Sequence, residues 1–146
     1  MQVIGFNFTK IKVERNPGQL QPSTINTNIE FVDMAQENIS LLKDQDALRI
    51  VFKFSVIYNE ASQKKEVKQG EALFEGIIMI AIPRGQGKEL VKGWKKKELA
   101  SEFQLPLFNL ILRKCTPKAL DLEDQVGLPT HIPLPHLSPK NEGDNK

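Results

Sequence analysis

The first fifteen residues alternate apolar and polar side chains, but the parity changes part-way. Ile4, Phe6 and Phe8 share one parity, and Ile11 and Val13 share the other, with Lys10 and Lys12 between them. A pleated strand needs constant parity to keep one face buried. The switch near Thr9 therefore predicts one long strand with a bulge that restores the face. Asn16-Pro17-Gly18 ends it, because proline removes a ladder donor and glycine permits positive φ. Residues 16–24 hold two prolines and read as a loop.

Ile25, Thr27, Ile29 and Phe31 alternate with Asn26, Asn28 and Glu30, the pattern of a half-buried second strand. Polar residues 33–46 follow, with Ile39, Leu41 and Leu42 extending the strand or covering a core edge. The third strand is the clearest: Leu48, Ile50, Phe52, Phe54, Val56 and Tyr58 keep one parity, and Arg49, Lys53 and Ser55 keep the other. Asn59 to Lys65 reads as a polar turn. A fourth strand runs from about Glu66 to Ile82, with Gly70 and Gly76 marking a bulge or a close backbone approach. From Ile77 to Ile82 both parities are apolar, so this stretch should be covered on both faces, by helices and by another subunit.

Pro83 and Gly85 end the sheet. Lys88 to Phe103 has helical composition, with Leu90, Val91, Trp94 and Leu99 near helical spacing and Lys95 to Lys97 as a solvated face. A second helix is expected with Pro106 in its first turn, where a missing N–H is harmless. Leu107, Phe108, Ile111, Leu112 and Cys115 form its apolar face. Arg113 and Lys114 would complement the dipole near its end, and Thr116-Pro117 would break it. Gly127 to Pro139 contains four prolines and should be extended, with Leu128, Ile132, Leu134 and Leu137 available for packing or binding. Strands followed by helices argue for an antiparallel α+β domain with helices on one sheet face. Residues 1–139 read as that single domain, and residues 140–146 as a disordered tail.

Composition narrows the function. Twenty basic residues stand against eighteen acidic ones, a formal net charge of +2, which lacks the concentrated basic stripe of a nucleic-acid binder. One cysteine and two histidines exclude a disulfide framework and a multi-cysteine zinc module. The opening residues lack the continuous apolar stretch, roughly 7–15 residues, that a leader needs. No run approaches the roughly 20 apolar residues of a membrane helix. A cytoplasmic protein without membrane insertion is expected.

Candidate chemistry is sparse. Gly85-Gln86-Gly87-Lys88 partly matches a phosphate loop, but Glu89 stands where a P-loop has its hydroxyl, so it reads as a turn. His131 and His136 lie among prolines without further ligands and read as surface residues. Cys115 reads as a buried small hydrophobe. Asp121, Glu123 and Asp124 read as a short acidic loop, and Trp94 as a core or interface residue. No catalytic residue, metal site or cofactor is expected.

Taken together, these segments resemble the SecB chaperone family. IGFNFTKIKVERNP is similar to that family's first strand, INTNIEF to its second and ALRIVFKFSV to its third. Glu66, Val67, Gln69 and Gly70 match the E-V-x-Q-G stretch that opens its fourth. LPLFNLILRKCT falls where the family starts its principal helix with proline, and GLPTHIPLPHL falls where it has an F-P-x-L-x-L-x-P segment. The resemblance implies four antiparallel strands and two helices, tetramers built as a dimer of dimers, and the holding of unfolded polypeptides without ATP, metal or other cofactor. Relatives serve protein export, handing clients to the SecA motor, or protect partners such as antitoxins.

A holdase needs an apolar groove, because unfolded segments share only apolar side chains and backbone donors. Leu20, Ile29, Phe31, Leu134 and Leu137 are the candidates for lining one; the alternative is that they fill the core or a subunit interface. Ile78 and Ile80, with Phe108 and Ile111 of the helix, are the expected oligomer-interface residues. Arg49, Lys53, Lys64 and Lys65 depart from the acidic sheet surface that contacts SecA in the export chaperone, which argues against a SecA-type partner. The competing function is an interaction subunit for one dedicated folded partner. A small-molecule binder or hydrolase would need a polar cluster that the sequence does not display.

Overall fold

The computed structural model describes residues 1–61 and 67–139. Glu66, Lys64, Lys65, most of the expected 59–65 turn and the 140–146 tail lie outside the described residues. Four strands come first: β1 (Gln2–Arg15), β2 (Ser23–Glu37), β3 (Gln45–Glu60) and β4 (Lys68–Pro83). Two helices follow, α1 (Gly87–Lys95) and α2 (Ser101–Val126). Every pairing is antiparallel, in the order β1-β4-β3-β2, so β1 and β2 are the edges. The α+β architecture expected from the sequence is the one observed.

The parity switch in β1 is a bulge. Phe8 opposes Gly76 and Lys10 opposes Glu75, which leaves Thr9 as the extra residue. Phe6, Phe8, Ile11 and Val13 thereby share one face, opposite Ile78, Gly76, Phe74 and Ala72. A further shift between Val3 and Gly5 leaves Ile4 as an extra residue, so Val3 and not Ile4 opposes Ile80 on the face of Phe6 and Phe8, and β2 carries a correction of this kind between Phe31 and Asp33. It turns Val32 outward, 50% exposed, and returns Met34 to the buried face. β2 therefore runs on to Glu37, while Ile39 to Leu42 lie beyond it and Leu41 is exposed.

The core lies between one sheet face and the helices. All six alternating residues of β3, Leu48 to Tyr58, are fully buried, as are Ile78 and Ile80 of β4. Burying each such large side chain contributes about 1.5–3 kcal/mol relative to exposure. α2 meets this face through Leu107, Ile111, Cys115 and Ala119, spaced four apart, and α1 through Leu90, Val91 and Trp94. Gly76 has no room for a side chain: an added Cβ would lie 2.5 Å from the Asn7 carbonyl and 2.6 Å from the Phe52 ring. That close approach seats Phe52 against Phe6 and Phe8, with ring centroids 5.1 and 6.3 Å away.

The opposite sheet face carries no helix among the described residues. Ile77 and Met79 sit there, partly buried. Next to them Lys10, Glu75, Lys53 and Glu30 line up across all four strands with alternating charge.

Both helices differ from the sequence expectation. The helical stretch breaks after Lys95, and Lys97 takes a left-handed φ of 59°. α2 then starts at Ser101, five residues before Pro106, and continues through Pro117 to Val126. Each proline removes the bond to a carbonyl four residues back. Those carbonyls belong to Glu102 and Arg113, both exposed residues, so water can satisfy them. Lys114 and Lys118 are consequently mid-helix, over the Phe6 and Phe8 rings at 5.8 and 5.6 Å. The last turn has no basic residue of its own; Arg15 of β1 donates to the Val126 and Gly127 carbonyls instead. At the start of α1, the Asp46 carboxylate accepts from the Gly85 and Gly87 amides at 2.9 and 3.0 Å. The Gly85–Lys88 stretch is thus a turn whose amides are already bound to a protein anion.

Candidate polypeptide-binding groove and its buried neighbour

Ile29 to Phe31 lie on the outer edge strand, where α1 has ended and α2 has just begun. The link between the helices passes over them and leaves a cavity of about 220 Å³. Ile29, Glu30 and Phe31 of β2, Trp94 of α1, Lys97 and Leu99 of the link, and Gln104 and Phe108 of α2 line it. Phe108 packs on Phe31 with ring centroids 4.9 Å apart. A second cavity of about 290 Å³, between α1 and the link, adjoins it at Leu99. No described strand pairs with the outer side of β2, so its unpaired amides and carbonyls run alongside the apolar floor.

Of the residues proposed from sequence for peptide binding, Ile29 and Phe31 meet in this groove. Leu20 packs against the core beyond the lining of the groove. Leu134 and Leu137 are exposed on the extended C-terminal segment. Of the expected interface residues, Ile78, Ile80 and Ile111 have no accessible surface in the single chain, because the two strand residues face the packed helices and Ile111 of α2 faces the sheet. Phe108 keeps accessible surface and lines the groove. Trp94, Leu99 and Gln104 were not singled out for it by sequence; the short turn between the helices, which brings them over β2, has no strong sequence signal.

A second arrangement corrects the sequence expectation outright. Continuing α2 through Pro117 places Glu123 on the buried stripe 107, 111, 115, 119, so it is not in an acidic loop. Its carboxylate is fully buried. It accepts from the His131 amide at 3.1 Å and lies 3.0 and 2.9 Å from His131 Nδ1. The His131 side chain is only 2% exposed and meets the Phe54 ring edge-on at 5.9 Å, so it is not a surface histidine. The Tyr58 hydroxyl donates to the Pro129 carbonyl at 2.5 Å. Burial, then the neighbouring Glu123 charge, hold that phenol above its ordinary range. Leu128 closes the group, packed over Gly70.

A polar cavity of about 230 Å³ near Glu14, Arg15, Asn16 and Lys68 marks the opposite edge of the sheet. Cys115 lies in the core, and burial pushes its thiol up to about 12, away from thiolate chemistry. Among the described residues no cluster of three or more His, Cys, Asp or Glu side chains could hold a metal ion. No helix among them is long and apolar enough to cross a membrane.

No protein-family model and no curated protein matches the chain. Among solved structures, it is similar to a SecB-like chaperone of Mycobacterium tuberculosis in complex with a ChAD peptide from the HigA1 antitoxin. The likeness has 13% identity, spans 96% of this chain and 92% of that one, and has a TM-score of 0.46.

Proposed function

We propose that the protein is an ATP-independent, SecB-like holdase that binds unfolded or aggregation-prone polypeptides along β2. The observation that carries this reading is the groove of Ile29, Phe31, Trp94, Leu99 and Phe108 beside an edge of β2 with which no described strand pairs. An extended segment can add to that edge through main-chain bonds, which are independent of sequence, while an alternate apolar side chain enters the groove. Leu20 and the exposed C-terminal Leu134 and Leu137 are further apolar candidates for contact with a client. Occupying the groove lowers the free concentration of unfolded chain by mass action, with no chemical step.

The same reading includes self-association to a dimer or tetramer in the cytoplasm. Phe108 and the outer-face Ile77 and Met79 offer the apolar surface for it. Arg49 and Lys53 on that outer face argue against a SecA-type partner. The direct test is aggregation of a denatured model client with and without stoichiometric protein. Wild type should suppress it, and Ile29→Asp should not. Unchanged aggregation at excess wild-type protein refutes the reading. Capture of one stoichiometric folded partner, with no unfolded client bound, points to a dedicated interaction subunit instead.

A further inference from the structure

The outer face of the sheet carries a charge pattern that is complementary to itself. One cross-strand row reads Lys10, Glu75, Lys53, Glu30 from β1 through β4 and β3 to β2. Lys10 and Glu30 are exposed, and Glu75 and Lys53 are partly so. None of the four forms an ion pair with another described residue. Set against its own reverse, the row puts every lysine on a glutamate. A partner of a single charge sign would instead meet as many repelling groups as attracting ones.

A two-fold axis performs that reversal. Two copies of the face can meet about an axis that lies between them, parallel to the strands and midway between β3 and β4. Each row then meets the same row of the second copy with its strand order reversed. Ile77 falls on Val51 of the second copy, Ala81 on Ala47 and Asn7 on Asp33. None of the six rows that span the two central strands brings like charges together. An axis across the strands, through the charged row, would set each of its charges on itself. The charges therefore select one geometry. Six rows about 6.8 Å apart on four strands about 4.8 Å apart cover up to about 800 Å² per copy, the size of a standard stable interface. Aligned sheets pack about 10 Å apart and cross at about 30°, so the rows nearest the charged centre register best.

We propose that this face binds a second copy of the chain, sheet on sheet, about that two-fold axis. The dimer deepens the self-association in the proposed function and rests on that part of it; client binding along β2 is independent.

The test is sedimentation equilibrium of the full-length protein at micromolar concentration. Lys53→Glu sets two carboxylates together across the axis, and Glu75→Lys sets two ammonium groups together. Each variant alone should lose one halving of mass, its dimer at least about a hundredfold weaker. Mixed in equal amounts, the two variants are complementary again and should regain the wild-type mass, which also shows that both are folded. A second measurement needs no variant. Lys10 and Glu30 are three strand spacings apart in one chain, about 14 Å, so a zero-length carbodiimide link between them forms only between copies. Wild type should give that link. Wild-type mass in both single variants, a mixture that stays dissociated, or a wild-type protein without the Lys10–Glu30 link overturns the proposal. A monomeric wild type that still suppresses client aggregation overturns this dimer and leaves the holdase reading standing. A linked dimer that suppresses nothing does the reverse.

Discussion

Removing the His131 imidazole probes the buried anchor directly. Glu123 has no accessible surface, and its carboxylate depends on the His131 ring at 2.9 and 3.0 Å and the His131 amide at 3.1 Å. Deleting one partner of a buried pair typically costs about 3–5 kcal/mol, because the remaining charge stays desolvated. His131→Ala leaves the backbone amide of residue 131 in place as a donor, so the low end applies, about 3 kcal/mol. For a chain of this size that corresponds to a fall in Tm of about 10 °C. Urea unfolding, followed by Trp94 as the single tryptophan and by far-ultraviolet circular dichroism, reads the loss. Glu123→Gln supplies the control. With a neutral amide at 123 the same histidine deletion should cost clearly less, and the double-mutant cycle isolates the pair. A His131→Ala protein within about 1 kcal/mol of wild type would refute the reasoning, since no charge of consequence would then be stranded.

Two other predictions concern the sheet. Gly76→Ala places a methyl against the Asn7 carbonyl, a backbone atom of the paired strand, and should cost at least about 2–3 kcal/mol in thermal or urea unfolding; wild-type stability would mean that β1 is not held as described. Glu71 is bonded to Lys68 at 2.8 Å and to Lys12 at 3.1 Å, and these bonds, Lys68 first, hold its carboxyl below the usual 4.5. A depressed folded pKa contributes stability that is complete above the ordinary carboxylate value and disappears as pH falls through the depressed one. The stability gap between wild type and Glu71→Gln should therefore be flat above that value and shrink below it; a gap independent of pH throughout the acid range contradicts the linkage.

Much of the sheet is legible in the sequence because strand burial has period two. The Thr9 bulge shows as a parity change, and the unbroken parity of Leu48 to Tyr58 marks the central strand. Gly76 also announces itself, as a small residue inside an apolar strand, with Phe52 as the reason. The helices are less legible. Propensity ends a helix at Thr116-Pro117, but tertiary packing of Leu107, Ile111, Cys115 and Ala119 on the sheet outweighs one lost backbone bond. That single misplaced boundary hides Glu123 and His131. Extended by two turns, the four-residue stripe puts a carboxylate in the core, and a buried carboxylate requires a partner.

The groove depends on the same kind of local event. Had the helical stretch continued from Lys88 to Phe103, a continuous helix would have run over β2 and buried Ile29 and Phe31 together. Instead α1 stops at Lys95, Lys97 adopts a left-handed φ, and α2 restarts at Ser101. The link passes over the strand without filling the space beneath it, and its Leu99 lines both cavities. Phe31 is covered by Phe108 from α2, while Ile29 stays half-buried on an unpaired edge. An apolar floor with open backbone beside it is costly in a protein that binds nothing, since it invites strand addition by any chain. The neighbouring Glu123–His131 anchor makes the same point from the other side. It fixes the start of a Pro-rich segment whose Leu134 and Leu137 are left in solvent.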